Sequence, residues 1–349
     1  MSFQFAQPFV GLSSGLQVKN ISGGAIGGWV ELGRTTLGSA GDSITVGSLA
    51  NKRYYMVLSN LFATGGNING RYVLNADTGA NYATRISTDG GADATVTSGN
   101  NDLFVSPAAA NPIFSVGYFS NYSTKEKLAI THSCLRSTAG AGTAPSRAEH
   151  AGKHAQTTNP ITSIEAYNGS TGDFNTGSEV VVLGYDPADT HTTNFWEELA
   201  SVNASGSSTN LSSGTITAKK YLWVQAWLKN STSHTTAMTF NNDTTTYAYR
   251  LSDNGAADST STSQADISLY SATTTPIFVN MFIINNSANE KLVIGHTINQ
   301  NTAGAATEPN RRQFVGKYDN TAAQITEIDL DSSSGNWDSS SIIKVWGAN

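Results

Sequence analysis

The chain has 349 residues, 13% of them charged, with 20 Lys and Arg against 26 Asp and Glu for a net charge of −6. A length of this size fits about two domains at ~150 residues each, and the charge balance excludes a polyelectrolyte tail and the broad basic field that nucleic acid requires. Hydrophobic residues make up 38%, and 33 Gly stand against only 8 Pro amid dense Ser, Thr and Asn, a mixture that suits many short strands joined by turns.

The start, Met1 to Pro8, has no basic segment leading into an apolar run, so it predicts no secretory signal. No later stretch approaches the ~18 uninterrupted apolar residues of a spanning helix. The expectation is a protein soluble as made, with no membrane partner. Residues 1–28 read as an N-terminal arm whose Pro8, Phe9, Val10 and Leu12 are candidate contacts to a scaffold. Strands are predicted from β-branched and aromatic runs at 43–49, 54–60, 71–75, 113–119, 128–132, 161–167 and 179–183. Turn clusters separate them at 63–67, 89–91 and 168–172. No helical period of useful length appears.

The chain then repeats itself. Trp29-Val30-Glu31-Leu32 returns 167 residues later as Trp196-Glu197-Glu198-Leu199, and Lys52-Arg53-Tyr54-Tyr55 as Lys219-Lys220-Tyr221-Leu222 at the same offset. Pro112-Ile113-Phe114 matches Pro276-Ile277-Phe278, and Lys127 to His132 matches Lys291 to His296, both at 164. Residues 177–184 align with 340–347 at 163. Collinear matches with so small a drift mark a tandem duplication of a whole domain, far longer than a solenoid repeat. The organisation is an arm over 1–28, copy one over 29–186, a linker over 187–195 and copy two over 196–349. Each copy predicts an antiparallel β-sandwich, giving an all-β chain of two tandem jelly-roll-like domains.

The segment 221–228 alternates Leu222, Val224, Ala226 and Leu228 on one face with Tyr221, Trp223, Gln225 and Trp227 on the other. Both faces carry bulk. One fills the sandwich, which leaves the other for a loop, a neighbouring domain or a partner. Five of the six Trp lie in copy two, and Trp223 and Trp227 stand where copy one has Met56 and Asn60. Tyr221, Trp223 and Trp227 are therefore the candidate site for a ligand or partner, as a platform for sugar rings or an anchor for a subunit; the competing expectation is packing within the sandwich.

No other pattern forms a reaction centre. Arg85 and Arg250, each near acidic residues, read as Arg tying a turn rather than as an anion site. Residues 75–81 share the alternating oxygens of a calcium loop but have Ile86 where its bidentate Glu belongs, so an Asx turn is the better account. His132 and His296 occupy equivalent positions, and no histidine spacing predicts a metal site. His150 and His154 lie among turn-forming residues. Cys134, the single cysteine, excludes internal disulfides and reads as a small buried thiol. No phosphate loop, nucleophile elbow or usable carboxylate pair appears, since Glu197 and Glu198 are adjacent and face opposite ways in a strand. The expectation is no enzyme, no cofactor and no metal.

Charge separates the copies: residues 1–186 carry 11 basic and 12 acidic groups, and 187–349 carry 9 and 14. The more acidic second copy is expected to face outward, with the first copy and its arm against a scaffold.

A resemblance rests on three segments: Asn75-Ala76-Asp77-Thr78-Gly79-Ala80-Asn81-Tyr82-Ala83-Thr84-Arg85, Ile161-Thr162-Ser163-Ile164-Glu165, and Gly177-Ser178-Glu179-Val180-Val181-Val182-Leu183-Gly184-Tyr185-Asp186. In these the chain resembles the repeated β-domains of structural proteins in tailed viruses of microbes. The resemblance implies a virion component, foremost a capsid decoration or cement protein, trimeric, whose partners are capsid or tail subunits. The alternatives are a tail or fibre adhesin that binds a host-surface glycan through the aromatic residues of copy two, and a major capsid protein with two jelly rolls.

Overall fold

A computed structural model describes residues 28–97, 99–189, 194–230 and 232–349. Pro8, Phe9, Val10 and Leu12 of the predicted arm, and residues 190–193 of the linker, lie outside the described residues. Every element among the described residues is a strand, and no helix is long and apolar enough to cross a membrane.

Domain one consists of β1 (Val30–Thr36), β2 (Ser43–Val46), β3 (Tyr54–Leu61), β4 (Ala63–Thr64), β5 (Gly70–Leu74), β6 (Tyr82–Thr88), β7 (Ala94–Val96), β8 (Leu103–Phe104), β9 (Ile113–Ser120), β10 (Lys127–Leu135), β11 (Ser146–His154), β12 (Ile164–Asn168), β13 (Asp173–Phe174) and β14 (Glu179–Tyr185). Domain two consists of β15 (Glu197–Asn203), β16 (Asn210–Ser212), β17 (Tyr221–Leu228), β18 (His234–Phe240), β19 (Tyr247–Asp253), β20 (Ser259–Gln264), β21 (Ile267–Thr273), β22 (Ile277–Ile284), β23 (Lys291–Asn299), β24 (Asn310–Tyr318), β25 (Ile328–Ser332) and β26 (Ile342–Ala348).

Each domain has a large sheet of eight strands and a small one of four, and every pairing is antiparallel. The large sheets run β1-β14-β3-β9-β10-β11-β6-β7 and β15-β26-β17-β22-β23-β24-β19-β20; the small ones run β2-β12-β5-β8 and β16-β25-β18-β21. The two orders are the same order. Even the irregularities repeat: a bulge between Glu31 and Gly33 recurs between Glu198 and Ala200. The two-stranded β4–β13 ribbon of domain one is reduced in domain two to a single bridge, Asn230 with Trp337.

Apolar alternation sets the packing. In β3, Tyr55 and Val57 point into the core under the small sheet, with Ile44, Tyr72, Leu74 and Ile164 opposite. In β17, Leu222, Val224 and Leu228 do the same against Met238, Phe240 and Leu330. Each such side chain, removed from water, contributes roughly 1.5–3 kcal/mol.

Two local devices recur for a physical reason. Asn75 and Asn241 have φ of 55° and 53°, a left-handed conformation that Asn tolerates. Asn75 Oδ1 accepts from the backbone N–H of Thr162 and Ser163, and its Nδ2 donates to Pro160; Asn241 does the same with Thr326, Glu327 and Gln324. These two Asn tie the turn to a distant segment; the local Asx bond after β5 is made by Asp77, whose Oδ1 accepts from the Gly79 N–H at 2.9 Å, in a turn that joins two sheets and not a hairpin. Lys127 Nζ donates to the carbonyls of Lys125 and Gln156, and Lys291 Nζ to those of Asn289 and Asn320, so each buried ammonium closes a turn.

One expectation needs correcting at this level. His150 and His154 lie in a nine-residue strand, β11, paired along its length with β10 and β6. Its composition conceals it: Ser, Arg, Glu, His, Gly and Lys become a strand because neighbours on both sides satisfy their backbone.

Candidate functional site

A third apolar core lies between the domains. The outer face of large sheet one, with Met56, Leu58, Phe114, Val116, Cys134, Val181 and Leu183, packs on the outer face of large sheet two, with Tyr221, Trp223, Phe282, Leu292, Ile294, Val315 and Trp346. Trp29 and Trp196, the matching residues ahead of β1 and β15, close it at one edge. The layers therefore stack small sheet, large sheet, large sheet, small sheet.

This arrangement decides the fate of the aromatic triad. Tyr221 and Trp223 are buried in the interdomain core. Trp223 stacks on Phe282 with ring centroids 5.4 Å apart, lies 5.2 Å from Trp346, and donates from Nε1 to Asn280 at 2.7 Å. Neither residue presents a face to a sugar, which corrects the platform reading for these two. Trp227 alone of the three stays half-buried. The packing is also not within the sandwich but between sandwiches.

Polar groups pin the same interface. Glu179 of β14 accepts from Tyr221 Oη at 2.8 Å and Lys220 Nζ at 2.9 Å, and from Thr36 at 2.5 Å. Burial pushes its carboxyl up, but these donors outweigh burial and hold it below its ordinary value of 4.5. Across the other edge Arg147 meets Asp258, Arg250 meets Asp89 at 3.2 Å, and Lys317 Nζ donates to the Arg136 and Thr138 carbonyls. Gly140 and Ala141 donate to Glu290 and Asp319. Arg85, by contrast, holds only Asp93, at 3.0 Å on the surface. The duplicated Arg has one role in each copy: a turn tie in the first, a domain clamp in the second.

Cys134 is buried, donates to the Gly316 carbonyl at 3.7 Å, and burial pushes its thiol far up, so it is an unreactive packing group. His154 stacks on Tyr82 and pairs Nε2 with Asp77 at 2.8 Å. His150 is buried beside Phe104, and neither of its ring nitrogens has a hydrogen-bond partner. Glu197 and Glu198 engage Lys219 and Lys344 separately.

The structure brings together one set that sequence spacing missed. His132 lies opposite Glu149 in the β10–β11 ladder, and His296 opposite Gln313 in the β23–β24 ladder. Where the large sheets cross, the two imidazoles meet edge to face with centroids 4.8 Å apart. One ligand atom each of His132, Glu149 and His296 lies within 4.8 Å of the others. Their separation of 17 and 164 residues hid them; the only signal was that both His occupy one duplicated position.

No protein-family model matches the chain, and no curated protein matches it. Among solved structures it is similar to the Neisserial surface protein A, at 7% identity and a TM-score of 0.14 over 81% of this chain and 99% of that one. It is similar at the same level to the attachment invasion locus protein Ail of Yersinia pestis, at 7% identity and 0.13 over 77% and 99%. The mouse laminin α1 chain domains LG4-5 give 8% identity and 0.17 over 95% and 92%. At such scores none of these carries an argument about fold or role.

Proposed function

We propose that this chain is a non-enzymatic structural subunit of a virion, a capsid decoration or cement protein of two jelly-roll-like sandwiches that stabilises the shell through subunit contacts. The supporting observation is the one-sidedness of the interdomain contact. In domain one Leu128 and Ile130 are 57% and 53% exposed, while their counterparts Leu292 and Ile294 are buried. In domain two Phe278 and Ile298 are 42% and 48% exposed, while their counterparts Phe114 and Cys134 are buried. Each domain leaves open the half of its outer face that its sister uses.

A hollow of about 270 Å³ on domain one, lined by Trp29, Tyr54, Tyr118, Leu128, Ile130 and Tyr185, is the counterpart of the surface that domain two buries. Apolar patches of this kind mark contact surfaces. The occupant is a second copy of the chain, whose Phe278 and Ile298 enter as Phe114 and Cys134 do within the chain. A contact between unlike surfaces closes into a ring or runs into a filament, and a three-membered ring is the trimer that the decoration role calls for.

In native mass spectrometry Ile130→Asp and Phe278→Asp are each expected to abolish self-association. An equal mixture recovers a dimer and nothing larger, because each variant keeps one intact half. A monomeric wild type, or a mixture that stays monomeric, rejects the contact. Quantitative mass spectrometry of purified particles then tests the role: a copy number matching shell symmetry supports decoration, and a few copies per particle favour the tail.

A further inference from the structure

We propose that the chain binds one divalent transition-metal ion of the zinc class between its domains, through His132 and Glu149 of domain one and His296 of domain two. The ligand atoms lie within 4.8 Å of one another around a cavity of about 10 Å³, about the room that one ion or water needs. Coordination at about 2.0–2.2 Å brings ligand atoms to roughly 3.4 Å apart. Side-chain rotation supplies the difference, since β10, β11 and β23 sit within their sheets and hold their backbones in place.

Two further observations support a ligand set. No described residue donates to or accepts from the imidazoles of His132 and His296, both half-buried at the wall of the cavity. Glu149 is oriented through one oxygen only: Oε1 accepts from Arg147 Nη1 at 2.5 Å and, with the Gln313 amide turned to satisfy its neighbours, from that amide at 3.2 Å, which leaves Oε2 for an ion. A metal-binding carboxylate is ordinarily held in this way. The Arg147 charge next to the site is met by the Asp258 carboxylate, which takes its Nε and Nη2.

Two imidazoles and a carboxylate suit zinc and its borderline neighbours rather than calcium or magnesium, which take oxygen ligands. Because the ligands come from both domains, the ion acts as a clamp on the interface. The proposal stands apart from the virion role.

The test uses the full chain stripped with a chelator and titrated with Zn²⁺ by calorimetry and with Co²⁺ by visible absorption. The expected result is a single ion per chain, tetrahedral Co²⁺ bands, and a rise in melting temperature on Zn²⁺ addition. His296→Gln and His132→Gln should each weaken binding at least about a hundredfold, more than the 10–100-fold typical of residues that only orient a ligand. Their metal-free unfolding curves show whether they fold, and His234→Gln should bind as wild type does. Wild type that takes up no ion at micromolar Zn²⁺, or histidine variants that bind as tightly as wild type, overturns the proposal.

Discussion

Arg147 of domain one grips Asp258 of domain two through two hydrogen bonds, 2.9 Å from Nε and 2.7 Å from Nη2, and both side chains are almost fully buried. The geometry is the parallel fork in which Arg binds carboxylate best. Removing one partner of such a pair leaves a buried charge behind. Asp258→Ala should therefore cost about 3 kcal/mol, the low end for a broken buried pair because Glu149 still holds the guanidinium. Urea unfolding followed by tryptophan fluorescence checks this, and a loss within ~0.5 kcal/mol, the range of an ordinary surface substitution, would contradict it.

Histidines partly withdrawn from water make stability depend on pH. Burial lowers His132, His150 and His296 from 6.5 to about 4, reinforced by Arg147, by Arg71 and by His132 respectively. Below 6.5 the unfolded chain takes up protons that the folded chain refuses, so stability is complete above that value and is lost as pH falls toward about 4. The melting temperature of metal-free protein should decline across this window, and His132→Gln should flatten the decline. A melting temperature independent of pH across it would count against neutral buried rings.

Gly184 and Gly347, matching positions in β14 and β26, are kept because another chain segment lies where a side chain would go. An added Cβ would meet Leu32 at 2.5 Å and Lys52 at 2.6 Å in the first, and Leu199 at 2.6 Å and Lys219 at 2.7 Å in the second. Gly347→Ala should destabilise by about 1–3 kcal/mol, the cost of overpacking. Thermal unfolding measures it, and an unchanged midpoint would show that Leu199 moves aside freely.

Trp223→Ala should cost about 3–5 kcal/mol by opening a cavity between the domains. Denaturant unfolding gives the loss. The same variant should leave any glycan binding of the folded protein unaltered on an array, because the indole is buried among Trp196, Phe282 and Trp346; loss of a specific glycan signal with the fold intact would restore the platform reading.

Much of the fold is legible in the residues. All seven predicted segments overlap strands: 54–60 is β3, 113–119 lies in β9, 128–132 in β10 and 179–183 in β14. The missed strands have a common cause. β11 and β6 carry Arg, Lys, His and Thr, with Arg85 and Lys153 reaching solvent, and lack a clean apolar alternation; pairing with β10, β7 and each other makes them strands. The candidate metal ligands were illegible for a related reason, since cross-strand register and the crossing of two sheets place them, and local spacing encodes neither.

The sequence by itself determined that one domain occurs twice and that β17 carries bulk on both faces, because repeats and period-two alternation are local properties that survive folding unchanged. Only the tertiary structure decided what each copy does with its outer face. Ile130 and Ile294 are the same residue at the same duplicated position, yet one is exposed and the other buried. Burial is a property of the neighbours through space, and the one-sided contact between the domains gives equivalent residues different neighbours.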